Sequence, residues 1–336
     1  MMETEYSSTL PMIDIGRFAS GDERDRSSIA AEMRAACRDV GFFYIVNHGV
    51  SAAVIDRAFD QSKRFFAQSR EAKMRIHIAK SKIYRGYSVL GAEVTRGLMD
   101  WKETVDLGVD LPADHPAVIA GRSLHGPNPW PPDLPGWQEA MTDYQNALSK
   151  VGEAVMRAIA MSLGLRSVFF DDLFGGDPFL IMRLLCYPQQ PAGDDKRVGI
   201  GIGEHTDFGC LTILAQDDVG GLEVQRRSGK WVTAPPIDGA FVVNIGDMIQ
   251  IWTNRFYKST PHRVVNNDSR ARYSIPFCYE PPFEARVAPI DEFAAAAEVS
   301  AEIPVLYGEY LRQKYAQSFP QMLNQDDSLP NDTAPA

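Results

Sequence analysis

Over residues 22–40 the apolar side chains Ile29, Met33, Ala36, Cys37 and Val40 recur three or four positions apart. That spacing predicts an amphipathic helix, and Gly41 stops it. The continuously apolar run 42–46 that follows reads as a strand. Ser51 is placed to cap a second helix, with Val54, Ile55, Ala58 and Phe59 on one stripe. Residues 80–135 are rich in glycine and proline, as in His-Gly-Pro-Asn-Pro-Trp-Pro-Pro at 125–132, and predict ordered loops with short strands. After Gly136 comes the longest helical stripe, Trp137, Met141, Tyr144, Leu148, Val151, Val155, Ile159 and Leu163, closed by Gly164. It reads as core packing.

From Phe179 onward the period changes. Short strands are expected at 180–187, 210–216, 222–225, 231–233, 240–245, 262–265 and 272–279, separated by Gly, Asp and Pro clusters. Strands at this even spacing predict a sandwich or barrel, and the jelly-roll form encloses a ligand cavity. Pro304 opens a last helix through Tyr315, and 325–336 is a polar, fraying end. The chain thus divides into a helical and mixed region (1–175), a β-rich core (176–285) and a C-terminal helix with its tail (286–336). It contains no internal repeat or low-complexity segment.

Composition narrows the function classes. With 45% hydrophobic residues, the 336-residue chain can bury a sizeable core. Its 44 acidic against 34 basic residues, net charge −10, give no sequence-wide electrostatic reason to bind nucleic acid or an anionic membrane. Small molecules are the expected partners, and the oligomeric state is left open. No apolar stretch reaches the roughly 20 residues of a membrane span, and residues 1–10 lack the basic and apolar regions of a signal peptide. A cytoplasmic location is the resulting expectation. Cys37, Cys186, Cys210 and Cys278 have no CxxC spacing and read as buried thiols of a reducing compartment.

The candidate chemistry lies in the β-rich part. His205-Thr206-Asp207 is answered by His262 after 54 intervening residues. Two imidazoles and one carboxylate are a ligand set for ferrous iron, holding it on one face and leaving the opposite positions open. His205 and Asp207 are expected at the leading edge of one strand and His262 at the start of another. Ten residues past His262 comes Arg272-Tyr273-Ser274, where alternation puts Arg272 and Ser274 on one strand face. A guanidinium beside a hydroxyl is a carboxylate receptor.

These motifs, with Phe42-Phe43-Tyr44-Ile45-Val46-Asn47-His48-Gly49, Asn244-Ile245-Gly246-Asp247 and Ser259-Thr260-Pro261-His262-Arg263-Val264, resemble in order and spacing the iron(II)- and 2-oxoglutarate-dependent oxygenases of the isopenicillin N synthase-like family. The resemblance runs from about residue 10 to residue 318. It implies an α+β chain with a mainly β core: a double-stranded β-helix (jelly roll, cupin-like) with the N-terminal helices packed on it. It implies Fe(II) on His205, Asp207 and His262, with 2-oxoglutarate and oxygen as cosubstrates. Arg272 and Ser274 would take the distal carboxylate of 2-oxoglutarate, with Tyr187 beside it. It gives His48 a structural turn role. His77, His115 and His125 read as solvated.

For the prime substrate, Arg85 sits in a loop region that the family folds toward the barrel mouth, Arg183 shares a strand face with Leu185 and Tyr187, and Phe208, Leu214 and Phe277 are candidate apolar walls. The implied activity is a non-haem iron dioxygenase that oxidises, by default hydroxylates, a small-molecule substrate of secondary-metabolite type, releasing succinate and CO2. Desaturation, oxidative cyclisation and ring rearrangement are alternative outcomes of the same chemistry. Residues 203–224 and 125–130 also resemble the ethylene-forming branch, and isopenicillin N synthase-type oxidation without 2-oxoglutarate is a further alternative. The carboxylate at Asp207 argues against halogenation. A zinc hydrolase could use the His, Asp and His set but has no use for Arg272 and Ser274, and an intact cosubstrate receptor argues against a non-catalytic jelly roll.

Overall fold

The computed structural model describes residues 9–175, 178–189, 200–266, 270–295 and 302–318. Two sheets carry the fold. The larger has eight strands in the order Met12–Asp14, Phe42–Val46, Phe241–Ile245, Leu211–Gln216, Arg272–Glu280, Phe179–Tyr187, Glu103–Gly108 and Gly86–Ser88. The smaller has four, in the order Trp231–Thr233, Leu222–Gln225, His262–Val265 and Ile200–His205. Only the first strand pairs parallel; every other ladder in the two sheets is antiparallel. The sheets lie face to face as the expected jelly roll, and the first 108 residues contribute four strands to the larger one.

Strand alternation gives the large sheet two unlike faces. Outward-facing Leu184, Ile213, Val243, Ile275 and Phe277 pack against the Trp137–Ser162 helix and its neighbours in one apolar core. Trp137, Tyr144 and Val155 of that helix are fully buried, as the stripe predicts. At Gly152 the helix comes so near the sheet that an added Cβ would lie 2.5 Å from the Tyr279 ring. The inner face is mixed. Leu185, Tyr187 and Val242 meet Ile202, Val224 and Val264 of the small sheet in a second apolar cluster, while Asp106, Arg183, Thr212, Asn244, Arg272 and Glu280 are buried or half-buried polar groups on the same face.

Several expected elements are found nearly as read. The first two long helices run Glu23–Asp39 and Ala52–Phe66, and Gly41 adopts φ +76 after the first. Asp22 caps that helix through a bond from the Asp25 amide. Ser51 holds the N-cap position of the second but makes no side-chain cap bond. The last helix spans Tyr307–Ser318, starting three residues after the expected Pro304. Among the strands not expected are Met12–Asp14 and Ile200–His205; the Gly-Ile-Gly sequence of the second carries little strand signal. His205 therefore ends a strand instead of leading into one. The tail 325–336 lies outside the described residues, and among those described no helix is long and apolar enough to cross a membrane.

Candidate active site

The small sheet sets His205 directly opposite His262, so two residues distant in sequence become neighbours. Their ring centroids are 4.2 Å apart. Each Nδ1 is engaged by a backbone carbonyl two residues upstream, His205 with Gly203 at 2.8 Å and His262 with Thr260 at 3.1 Å. This fixes the tautomer and turns both Nε2 atoms toward Asp207, whose Oδ1 lies 3.8 Å from that of His205 and 3.6 Å from that of His262. One ligand atom from each residue falls within 4.8 Å of the others.

Asp207 is held just as firmly. Its Oδ2 accepts bonds from the Thr212 hydroxyl and, at 2.7 Å, from the Asn244 amide. These donors occupy one carboxylate oxygen and leave Oδ1 for a cation. Such outer partners orient ligands in metal sites generally. Burial works against the carboxylate, but the two imidazoles and these hydrogen bonds outweigh it and keep Asp207 below its usual range. Burial, and then the neighbouring His262, push His205 down to about 3. A neutral imidazole at His205 and an ionised carboxylate at Asp207 are protonation states that suit a divalent cation.

Arg272 is fully buried. Its guanidinium donates to the Gly220 carbonyl, to Ser274 Oγ at 3.0 Å and to Gln216 Oε1 at 3.1 Å, and lies 4.8 Å above the Tyr187 ring. All three acceptors are neutral. Arg272 forms no ion pair with a described residue, so the buried cation fits an incoming carboxylate. Tyr187 pairs directly with Arg272 across the sheet, and Ser274 with Gln216. Arg272 and Ser274 share a strand face, as alternation predicts; Gln216, on another strand, carried no such signal.

Beside His205 and Asp207 opens a cavity of about 520 Å³. Its walls include Ile181, Arg183 and Glu280 of the large sheet, the Val94–Gly97 hairpin turn, Phe208, and the last helix through Tyr307, Leu311 and Lys314. The hairpin is tied to the Ile200–His205 strand by an Arg96–Glu204 ion pair of 2.7 Å and by the Gly203 amide on Asp100 at 3.2 Å. Arg272, Ser274 and Tyr187 lie deeper: none lines this cavity. Ile202 does, and it also packs in the cluster that holds Tyr187.

Of the five candidate substrate contacts, Arg183 and Phe208 line the cavity. Arg183 is bound within a buried charge network, to Asp106 at 2.6 Å and Glu93 at 2.7 Å, while Lys102 bridges Glu93 and Asp100. The other three expectations need correcting. Arg85 is turned away from the cavity: its guanidinium donates to the carbonyls of Val109, Gly126 and Leu124 and to Asn128 Oδ1, clamping a loop, and burial lowers its pKa to about 10. Phe277 has the opposite strand parity from Arg272 and points into the helix-covered core. Leu214 faces inward but packs against the inter-sheet cluster. His125, expected in solvent, sits half-buried between Phe179 and Phe283. Residues not anticipated are Glu93, Lys102, Glu280, Tyr307 and Lys314; each comes from a segment whose local pattern says nothing of the cavity.

The same elements appear in known proteins. Residues 10–133 match the N-terminal region of a non-haem dioxygenase in morphine synthesis, and residues 178–281 match the 2OG-Fe(II) oxygenase superfamily. A probable iron/ascorbate oxidoreductase of Dictyostelium discoideum is 38% identical, covering 94% of this chain and 96% of its own. The chain belongs to the 2OG-Fe(II) oxygenase superfamily. Homoarginine-6-hydroxylase of Glycine max is 36% identical to this oxygenase over 95% of the chain and 99% of the relative. Among solved structures, a full-length Neurospora crassa protein in complex with alpha-KG and thymine superposes with a TM-score of 0.78 at 29% identity, covering 93% of this oxygenase and 98% of that chain. The protein is therefore a non-haem iron, 2-oxoglutarate-dependent dioxygenase of the isopenicillin N synthase-like type, acting on small molecules.

Proposed function

We propose that this oxygenase hydroxylates a small polar substrate seated in the 520 Å³ cavity, with Fe(II) held by His205, Asp207 and His262 and 2-oxoglutarate anchored by Arg272. The observation that carries the reading is the Asp207 corner: both Nδ1 atoms are occupied, one carboxylate oxygen is occupied, and the three free ligand atoms converge beside the cavity. Iron(II) with 2-oxoglutarate and oxygen supplies the oxidising power, 2-oxoglutarate leaving as succinate and CO2. The chain's own groups do the positioning. Gly203 and Thr260 carbonyls aim the imidazoles, and Thr212 and Asn244 hold the carboxylate. Arg272 and Ser274 offer a fork and a hydroxyl to the distal carboxylate, with Tyr187 beneath the guanidinium. Burial excludes water from this inner site.

Relatives acting on homoarginine and complexed with thymine support a polar, nitrogen-bearing substrate and make hydroxylation the first reaction to test. Anaerobic addition of Fe(II) and 2-oxoglutarate should give a visible charge-transfer band, and His262→Ala should abolish it. A band unchanged in that variant would remove His262 from the ligand set. Substrate-dependent oxygen uptake without 2-oxoglutarate would instead favour oxidation in the isopenicillin N synthase mode.

A further inference from the structure

Glu280 ends the central strand of the large sheet and lines the substrate cavity, yet it is only 4% exposed. Its Oε2 accepts the Cys210 amide at 2.7 Å, and the carboxyl packs so flatly on Gly209 that a Cβ there would lie 1.1 Å from it. No described cation pairs with it. Burial pushes the carboxyl up to about 8, well above its ordinary value. The other acids of this cavity wall differ: Glu93 has Lys102 and Arg183, Glu204 has Arg96, and Asp207 faces the two imidazoles. Tyr307, from the helix that closes the cavity, is an independent second observation. It is fully buried, and its hydroxyl lies near enough to Glu280 to favour the ionised carboxyl slightly. Even so, that hydroxyl completes no hydrogen bond of ordinary geometry among the described residues.

A buried carboxyl without a cation and a buried hydroxyl without a completed hydrogen bond are each unfavourable alone. Side by side on a cavity wall, they form two acceptors for one donor group. Oε1 of Glu280 and the Tyr307 oxygen can take two N–H bonds, and a planar cation with paired N–H groups matches such a site. We propose that Glu280 and Tyr307 recognise a guanidinium or amidinium group, so that the substrate class is a small cationic guanidino or amidino compound. This deepens the reading that the cavity is the substrate site, and rests on it. Gly209 belongs to the same device, because any larger residue would expel the carboxyl from its seat.

The test is anaerobic calorimetry on the full chain loaded with Mn(II) and 2-oxoglutarate, using L-homoarginine and its uncharged urea analogue L-homocitrulline as probes. L-Homoarginine should bind at least about 10-fold more tightly than L-homocitrulline, the usual scale for one charge-assisted hydrogen bond. Glu280→Gln keeps an acceptor for the Cys210 amide and should weaken L-homoarginine about 10- to 100-fold while erasing the preference. Tyr307→Phe should weaken it less. Mn(II) and 2-oxoglutarate affinities should stay near wild type in both, and both should keep a cooperative melting transition. Equal binding of the two probes, failure of both to bind, or full L-homoarginine affinity in Glu280→Gln would overturn the proposal. A loss of 2-oxoglutarate affinity as large as that of the probe would assign Glu280 to scaffolding and overturn it as well. Failure of wild-type protein to bind Mn(II) and 2-oxoglutarate would reject the underlying site assignment instead, which separates the two failures.

Discussion

Arg272 shows how a single side chain is positioned for one task. A guanidinium with three neutral acceptors and no described counter-charge is costly unless a carboxylate arrives. Removing one partner of a buried charge pair costs about 2 to 5 kcal/mol, so Arg272→Leu should weaken 2-oxoglutarate about 30- to several-thousand-fold in a calorimetric titration. Glu280 gives a pH prediction of definite sign. Its carboxyl is raised from 4.5 to about 8 in the folded chain. The folded state therefore holds the proton more tightly across that interval, and this group's contribution to stability falls as pH rises through it. His205, lowered from 6.5 to about 3, acts the opposite way, losing stability as pH falls through that range. It is present in both wild type and Glu280→Gln, so it cancels between them. Metal-free Glu280→Gln should thus gain melting temperature relative to wild type between pH 5 and 8.5, and a constant difference would refute the assigned burial. At this scale the candidate metal ligands and Arg272 stood out in the sequence because their spacing is local or motif-borne. Glu280 and Tyr307 were not, because nothing near them in sequence tells that Cys210 and the cavity lie beside them.

Among elements, periodicity was read well where one face meets a core and poorly where both faces are polar or short. The Trp137–Ser162 stripe and the strands 180–187, 210–216 and 272–279 were visible because their outward residues alternate against helices. Ile200–His205 was missed because its glycines give no pattern, and it is the strand that brings His205 across from His262. Arg85 illustrates the reverse error: a cation in a loop near the expected mouth looks available until three carbonyls are seen to hold it. The helix and sheet are in turn held at one separation by Gly152 against Tyr279. Gly152→Val should force them apart and cost about 1 to 3 kcal/mol, measured by urea denaturation. Its metal affinity should change far less, because the ligands sit on the opposite side of the sheet.

For the whole molecule, ligand binding and stability should be linked. Metal and 2-oxoglutarate bind only the assembled barrel, so each at 100 times its Kd should add about 2.7 kcal/mol, roughly 4 °C in melting temperature for a chain of this size. Mn(II) with 2-oxoglutarate should raise the midpoint over that of chelator-treated protein, and His262→Ala should abolish the rise; an equal shift in the variant would place the metal elsewhere. The order of the strands carries a further consequence. Arg272–Glu280, late in the chain, lies in the middle of the large sheet between Leu211–Gln216 and Phe179–Tyr187. A growing polypeptide can therefore display all three candidate metal ligands on the ribosome and still lack the strand that joins the two halves of its barrel. Because domains fold as units once their long-range pairings are available, the carboxylate receptor at Arg272 is completed only after the candidate metal ligands have been synthesised.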